Sequence, residues 1–423
     1  MIKKQVLTPK VAVVQLGARM HYAVPAILHL AGMLDHFYTD SYLGQGSSWH
    51  MLTKLSFLLP ERFRPAGLKR LLGRREDGLP AGKVIAYNYF GLSYARGLKK
   101  ARGMAERERI HLDFGRRFCE LLLRYDFSET RAIYAFSSVA LPLFQKGGSS
   151  STIMILEQPS APAAIDWQWV AEERSLWPGW EAPYPPRQVW EPRIDLEQQE
   201  WKAANAVVCG SEFVALGLAA MGVPLENIRV VPYGVEPSHF AATRTPYDGR
   251  RPLRVLFVGG VSLRKGPQYL VQALGELNST RVVARLVGPV AIRDPYRRRW
   301  QTRVEVTGQV SRTEMRRHYE WADVFVFPSI CEGSATVTYE ALAAGLPVIT
   351  TAHAGSVVRD GVEGFIVPIR DAGAIAEKME RLAADPELLK KMSCAAEDRA
   401  QEFSWEKYGE RLVTTMKHLI ERS

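Results

Sequence analysis

No stretch of this 423-residue chain approaches the roughly 20 consecutive apolar residues of a membrane-spanning helix. Cysteine is scarce: Cys119, Cys209, Cys331 and Cys394 lie far apart, with no Cys-x-x-Cys pair. That argues against a zinc site or a disulfide scaffold and for reduced thiols in a cytoplasmic protein. Neither half contains Gly-x-Gly-x-x-Gly, so the fingerprint of a dehydrogenase is missing. The Lys/Arg-Gly-aromatic run of RNA-binding sheets is missing too. Acid is outnumbered by base, 45 residues to 55, for a net charge of +10. Such a surplus suits a phosphorylated small molecule, an anionic membrane surface or nucleic acid. Without a zinc spacing or an RNA signature, nucleic acid is the weakest of the three.

What is present reads as a soluble globular protein, 47% hydrophobic and 24% charged, long enough for two domains. Residues 10–16 (KVAVVQL) form a first strand and not a signal peptide, because the apolar run ends in Gly17-Ala18-Arg19. A helix over 21–34, with Pro25 in its first turns, and a strand over 37–39 follow. Residues 44–80 mix apolar residues with Lys54, Arg62, Arg64, Lys69, Arg70, Arg74 and Arg75, against only Glu61, Glu76 and Asp77. This stretch is either a solvated helical face or a surface for anionic membrane. Residues 96–124 read as a scaffold helix. Strands are expected over 131–136 and 151–156, then a segment holding Trp167, Trp169, Trp177, Trp180, Trp190 and Trp201. These tryptophans read as core or interface residues more readily than as sugar-stacking faces. A helix over 196–204, a strand over 206–209, a helix capped by Ser211 and a strand over 227–232 complete the first half. Residues 237–251 are polar and without apolar period, and read as a linker. Strand–helix alternation restarts at 253, with strands over 253–260, 282–288 and 303–307, a late one over 365–368, and a last helix over 405–421. Alternation in both halves predicts two doubly wound parallel α/β sheets.

The stretch 321–351 (WADVFVFPSICEGSATVTYEALAAGLPVITT) organises the second half. It reads as a strand over 323–328, a loop over 330–334, a helix over 336–344 stopped by Gly345 and Pro347, and a strand from 348 to 351: a parallel βαβ unit. Glu332 and Glu340 lie eight residues apart, about 12 Å if helical. That exceeds the roughly 5–9.5 Å between the carboxyls of a glycosidase. It fits two acceptors at opposite ends of one elongated ligand. Gly333, Ser334, Ala335 and Thr336 between them are small residues at a helix N-terminus, where N–H groups attract phosphate. Two hydroxyl-seeking carboxylates around a phosphate-seeking helix end describe a nucleotide-sugar site. Arg264 and Lys265, a flexible cation pair after the first strand of the second half, would supply charge for a diphosphate.

The order VGGVSLRKGPQYLVQAL, Gly308, CEGSATVTYEALAAGLPVITT, DGVEGFIVP resembles the second domain of retaining glycosyltransferases of family 4, with the GT-B fold. ANAVVCGSEFV, NIRVVPYGVEPSHF and FSWEKY are similar to other parts of that family. The resemblance implies two Rossmann-like domains facing across a cleft. Residues 1–236 would take the acceptor, 237–251 would link, 252–402 would bind the nucleotide-sugar, and 403–423 would cross back to the first domain. It implies that Glu332 binds donor-sugar hydroxyls and Glu340 the ribose. The N–H groups of Ser334 to Thr336 would meet the distal phosphate, and Arg264 and Lys265 the leaving diphosphate. Gly308 would lie by the base and Gly17 by the phosphates. Gly260 stands where the family often has arginine, and Glu157-Gln158 where many members have histidine. Arg19, His21, Glu157 and Gln158 are the acceptor-side candidates. No Asp-x-Asp is present, so no metal and no cofactor is expected. The expected reaction moves a hexose, with retention, from a UDP- or GDP-linked donor to a glycan, lipid or small-molecule acceptor. It would take place in the cytoplasm or on the inner face of the membrane. A nucleotide-sugar epimerase or hydrolase of the same fold, or a non-catalytic nucleotide-sugar-binding protein, are the alternatives.

Overall fold

The computed structural model describes residues 9–44, 72–240, 244–277, 281–300 and 303–422. Lys54, Arg62, Arg64, Lys69 and Arg70 of the basic stretch lie outside these residues. The first sheet comprises β1 (Val11–Gln15), β2 (Leu34–Thr39), β3 (Val84–Ala86), β4 (Ala132–Phe136), β5 (Ile153–Gln158), β6 (Ala206–Cys209) and β7 (Ile228–Val230). Its order is β3-β2-β1-β4-β5-β6-β7, every pair parallel. The second comprises β8 (Leu253–Val258), β9 (Val282–Val287), β10 (Val304–Gly308), β11 (Val324–Phe327), β12 (Val348–Thr350) and β13 (Gly364–Ile366), in the order β10-β9-β8-β11-β12-β13, again parallel. Helices cover both faces. That is why β1, β4 and β11 are buried at every residue and read in the sequence as unbroken apolar runs.

The strand order reverses at β1/β4 in the first sheet and at β8/β11 in the second. Ligands of doubly wound sheets bind at the carboxyl ends of strands beside such a reversal. The loop at Gly17 follows β1, the loop at Arg264-Lys265 follows β8, and the loop at Glu332 follows β11. Topology alone therefore brings the sequence motifs to two facing sheet edges.

Several boundaries differ from the sequence reading. The helix expected over 21–34 spans only Ala23–Leu30. Met20, His21 and Tyr22 before it have φ of 45°, 51° and 64°, outside right-handed helix. Gly32, at φ 69°, ends it, and Leu34 already belongs to β2. The single helix over 96–124 is two, Asn88–Lys100 and Met104–Leu122, broken at Gly103 with φ 106°. The tryptophan segment runs through two helices, Ala163–Leu176 and Glu191–Ala203. Residues 244–251 of the expected linker lie against the second domain. Arg244 donates to the Gly345 carbonyl, the buried Tyr247 hydroxyl to the Ala383 carbonyl, and Arg251 pairs with Asp323.

The last helix, Trp405–Glu421, packs on the first domain. Gly409 sits against Ile27, Tyr408 meets Tyr233 edge-on, and Arg411 donates to the Pro232 carbonyl. The backbone pairs Val235 N–H to Phe403 carbonyl (2.9 Å) and Trp405 N–H to Val235 carbonyl (3.1 Å) bind the two crossings to each other.

Candidate active site

Two loops of the second domain lie side by side at the sheet reversal. After β8 the chain makes one 3-10 turn, Leu263–Lys265, closed by Gly266. Gly266 has φ 75°, and a Cβ there would lie 1.9 Å from the Pro328 carbonyl oxygen, so no other residue fits. This close approach lets Arg264 fasten the neighbouring loop. Its carbonyl accepts from Ile330 N–H at 2.9 Å, and its Nε donates to the Cys331 carbonyl at 2.9 Å. Lys265 Nζ meets Glu332 Oε1 in an ion pair, with the Ser329 hydroxyl 3.5 Å from the same oxygen. Burial first, and the adjacent Arg264 second, hold the Lys265 ammonium below its ordinary range; Asp166 works against that fall. The cations are thus not the flexible pair expected from the sequence: both are half-buried and engaged.

Glu332 does not stand on the helix. It precedes Thr336–Ala343 by four residues, so only the second half of the Glu332–Glu340 interval is helical. The Glu332 N–H donates to the His353 carbonyl at 3.0 Å, and His353 Nδ1 lies 2.9 Å from the Ile330 carbonyl. The Ala335 N–H is taken by the Ala354 carbonyl at 3.0 Å, which removes it from the set expected to meet a phosphate. Among the described residues, Ser334 and Thr336 make no such backbone bond. The Ser334 hydroxyl donates to the Gly355 carbonyl and accepts from Tyr339. Glu340 accepts from the Tyr319 hydroxyl at 2.8 Å.

The first domain closes directly on this loop. A Cβ on Gly333 would lie 2.0 Å from the Pro159 carbonyl oxygen, and the Ser211 hydroxyl donates to the Gly333 carbonyl. Ser211 is also the expected helix cap, accepting from Val214 N–H at 3.3 Å. Beside the contact, a cavity of about 630 Å³ lies between the domains. It is lined by Glu340 and Thr336 from one side, Met20 and His21 from the other, and Tyr233 and Trp405 at the crossings.

The remaining candidates spread along the two sheet edges. The Gly17 N–H donates to Asp40 Oδ1 at 2.7 Å, and Asp40 is ion-paired with Arg74. The Arg19 guanidinium lies over the Phe136 ring, 5.9 Å from its centroid. Glu157 is buried and takes hydroxyls from Tyr134 and, at 3.3 Å, Tyr233. Burial pushes its carboxyl up to about 7, against the pull of Tyr134, Arg19 and Tyr233. Gln158 is equally buried and spent on protein partners: it accepts from Trp201 Nε1 at 3.2 Å and donates to the Ser160 carbonyl. Gly260 and Gly308 stand past or at the ends of β8 and β10, with β9 between them. The Gly308 carbonyl accepts from Gly288 N–H.

The sequence did not disclose the residues that clamp the domains. From the helix Ala163–Leu176, Asp166 reaches Arg264 Nε at 3.1 Å. The buried Glu173 accepts from Tyr269 OH (2.6 Å), Gln268 Nε2 (2.8 Å) and Arg370 Nε (2.8 Å). Glu181 accepts from the Leu263 N–H at 2.6 Å, at the start of the cation turn. Trp177 donates to Tyr269 OH, Trp180 stacks on Tyr296, and Trp169 packs on His353. The interface reading of these tryptophans holds. Among the described residues, no three His, Cys, Asp or Glu side chains form a group able to hold a metal ion, and no helix is long and apolar enough to cross a membrane.

Residues 252–385 match the family model of the glycosyl transferases group 1. The chain is 33% identical over 237 residues to the D-inositol 3-phosphate glycosyltransferase of Xylanimonas cellulosilytica, an alignment covering 51% of this chain and 57% of that relative. The chain spans about half the length of the curated relatives it matches. Among solved structures, sucrose-phosphate synthase from Thermosynechococcus elongatus superposes with a TM-score of 0.64 at 19% identity, covering 98% of this chain and 100% of that one. Anabaena HepE in complex with UDP-glucose superposes with a TM-score of 0.59 at 15% identity, covering 97% and 99%. The fold is GT-B, and the domain that carries Arg264, Lys265, Glu332 and Glu340 is similar to that of the glycosyl transferases group 1.

Proposed function

We propose that the protein is a retaining glycosyltransferase that moves a hexose from a nucleotide-sugar to a glycan, lipid or small-molecule acceptor without a metal ion. One observation carries the reading: Arg264 and Lys265 are fixed against the Glu332 loop at the sheet reversal, with Glu340 opening into the interdomain cavity. A diphosphate bound there competes with Glu332 for Lys265 and with Asp166 for Arg264. The two cations then stabilise the charge that develops as the nucleoside diphosphate leaves. Glu332, released, accepts hydrogen bonds from the sugar, and Glu340 from the ribose. With the sugar held on one face, the departing phosphate takes the acceptor proton and the anomeric configuration is kept. The binding of UDP-glucose by the similarly folded HepE supports a nucleotide-sugar, UDP-linked before GDP-linked. The cysteines of the chain are free thiols, which supports a cytoplasmic site of action.

The test is a thermal-shift panel of UDP, GDP, ADP and their common sugars with a chelator present. A ligand at 100 times its dissociation constant adds about 2.7 kcal/mol. A shift with one nucleotide that is lost in Glu340→Ala, followed by acceptor-dependent turnover, supports the reading. Turnover without acceptor makes it an epimerase or hydrolase, and no shift with any nucleotide removes it.

A further inference from the structure

A second cavity, of about 690 Å³, lies wholly in the first domain. That volume is within the roughly 300–1,000 Å³ of small-molecule sites. Its walls are apolar: Leu112 from the helix Met104–Leu122, Leu141 and Pro142 after β4, Val189, and Leu196 from the helix Glu191–Ala203. Leu112, Leu141 and Leu196 are half-buried, yet none of them joins the main hydrophobic core. Three leucines that line a hollow instead of filling a core leave apolar surface for something else to cover.

The polar groups of the cavity are of two kinds. Ser138 belongs to the floor. It is 3% exposed, has φ 78°, and its hydroxyl has no hydrogen-bond partner. A buried, unsatisfied hydroxyl is costly and marks a place where a partner is due. Glu200 beside it is fully engaged, accepting from the N–H groups of Ser138 and Ala140 at 2.9–3.1 Å. At the rim, Asp113 is paired with Arg116. Arg109 is exposed and, among the described residues, has no ion pair or hydrogen bond. The one uncommitted charge of the cavity is therefore positive.

The floor is also one end of the candidate active site. Ser138 lies two residues beyond Phe136, whose ring carries Arg19, and the Ser137 N–H donates to the Glu157 carbonyl at 2.9 Å. One face of this short loop meets the sheet edge that looks onto the cleft, and the other closes the cavity.

We propose that this cavity receives the apolar chain of an anionic amphiphile, with the head group at Arg109. Calling that amphiphile the acceptor, or its lipid portion, rests on the glycosyltransferase reading; the binding site does not.

The probe is dodecyl phosphate, titrated by calorimetry into the full-length protein below its micelle concentration, with inorganic phosphate as the control. Saturable one-to-one binding of dodecyl phosphate, and none of inorganic phosphate, is expected. Leu196→Trp, which fills the hollow, should weaken it at least tenfold. Arg109→Glu, at an exposed position that leaves folding intact, should weaken it about three- to tenfold at low salt and less at high salt. If Leu196→Trp fails to fold, Arg109→Glu decides alone. No saturable binding, or binding indifferent to the variants that fold, overturns the proposal. A nucleotide shift without dodecyl phosphate binding overturns this site and leaves the transferase reading standing. Dodecyl phosphate binding without any nucleotide shift does the reverse.

Discussion

Among the described residues, five glutamates of the first domain are buried, Glu157, Glu173, Glu181, Glu197 and Glu200, and in the second only Glu363 is. Each of the five holds something distant in sequence. Glu197 accepts from the Ala163 N–H, Glu200 from the turn after β4, and Glu157 from two tyrosines on different strands or loops. Glu173 and Glu181 reach into the other domain. The second domain sets its loops mainly with backbone bonds and close approaches, as at Gly266 and between Arg264 and Cys331. Local devices leave a compact signature in the sequence. Devices made of a buried charge and a remote partner leave none, although they decide how the two halves meet.

The largest effect should come from breaking an interdomain charge. Glu173→Ala leaves Arg370 without its buried partner, and should cost about 3–5 kcal/mol of stability, read by calorimetry. A loss below about 1 kcal/mol would mean that the interface does not depend on that carboxylate. Next, Lys265→Ala should lower turnover about 10²- to 10³-fold while the melting temperature holds, because its charge matters most as the diphosphate leaves. Glu340→Ala should act mainly on binding, weakening the donor roughly 10- to 100-fold, the worth of about 1.5–3 kcal/mol for bonds to a charged group, with a smaller change in turnover. Equal, small effects from these two variants would sink the site.

The smallest and most diagnostic effect concerns pH. The Glu157 carboxyl is raised from 4.5 to about 7 in the folded chain, chiefly by burial. The folded state then holds a proton that the unfolded state gives up, so the stabilisation is complete below about pH 4.5 and is lost as pH rises through 7. Glu157→Gln cannot lose it. Between pH 5 and pH 8 the wild type should therefore lose more melting temperature than the variant. Parallel losses would show that Glu157 does not titrate in that window.

The α/β architecture was legible because doubly covered parallel strands are apolar throughout, as in β1, β4 and β11. The last helix, Trp405–Glu421, was legible from end to end, with Ser404 capping it. The helix Arg312–Trp321 escaped notice because it is strongly polar, with few side chains turned inward. The helix Ala163–Leu176 escaped for another reason: its Glu173, and Trp177 just past its end, face partners roughly 90 residues further along, so no single apolar stripe betrays it. At the site, Arg264, Lys265, Glu332 and Glu340 stood out by spacing. Asp166 did not, because nothing local links it to an arginine 98 positions away. The left-handed run Met20–Tyr22 contains no glycine and could not be anticipated from residue type.

The helix Trp405–Glu421 is made long after Ile27 and Tyr233, which it covers. A ribosome adding about 5–20 residues per second needs roughly 10–40 s to go from Tyr233 to Glu421. For that interval the flank of the helix Ala23–Leu30 has no cover, and the first domain must wait, partly dressed, for a helix made on the far side of the second.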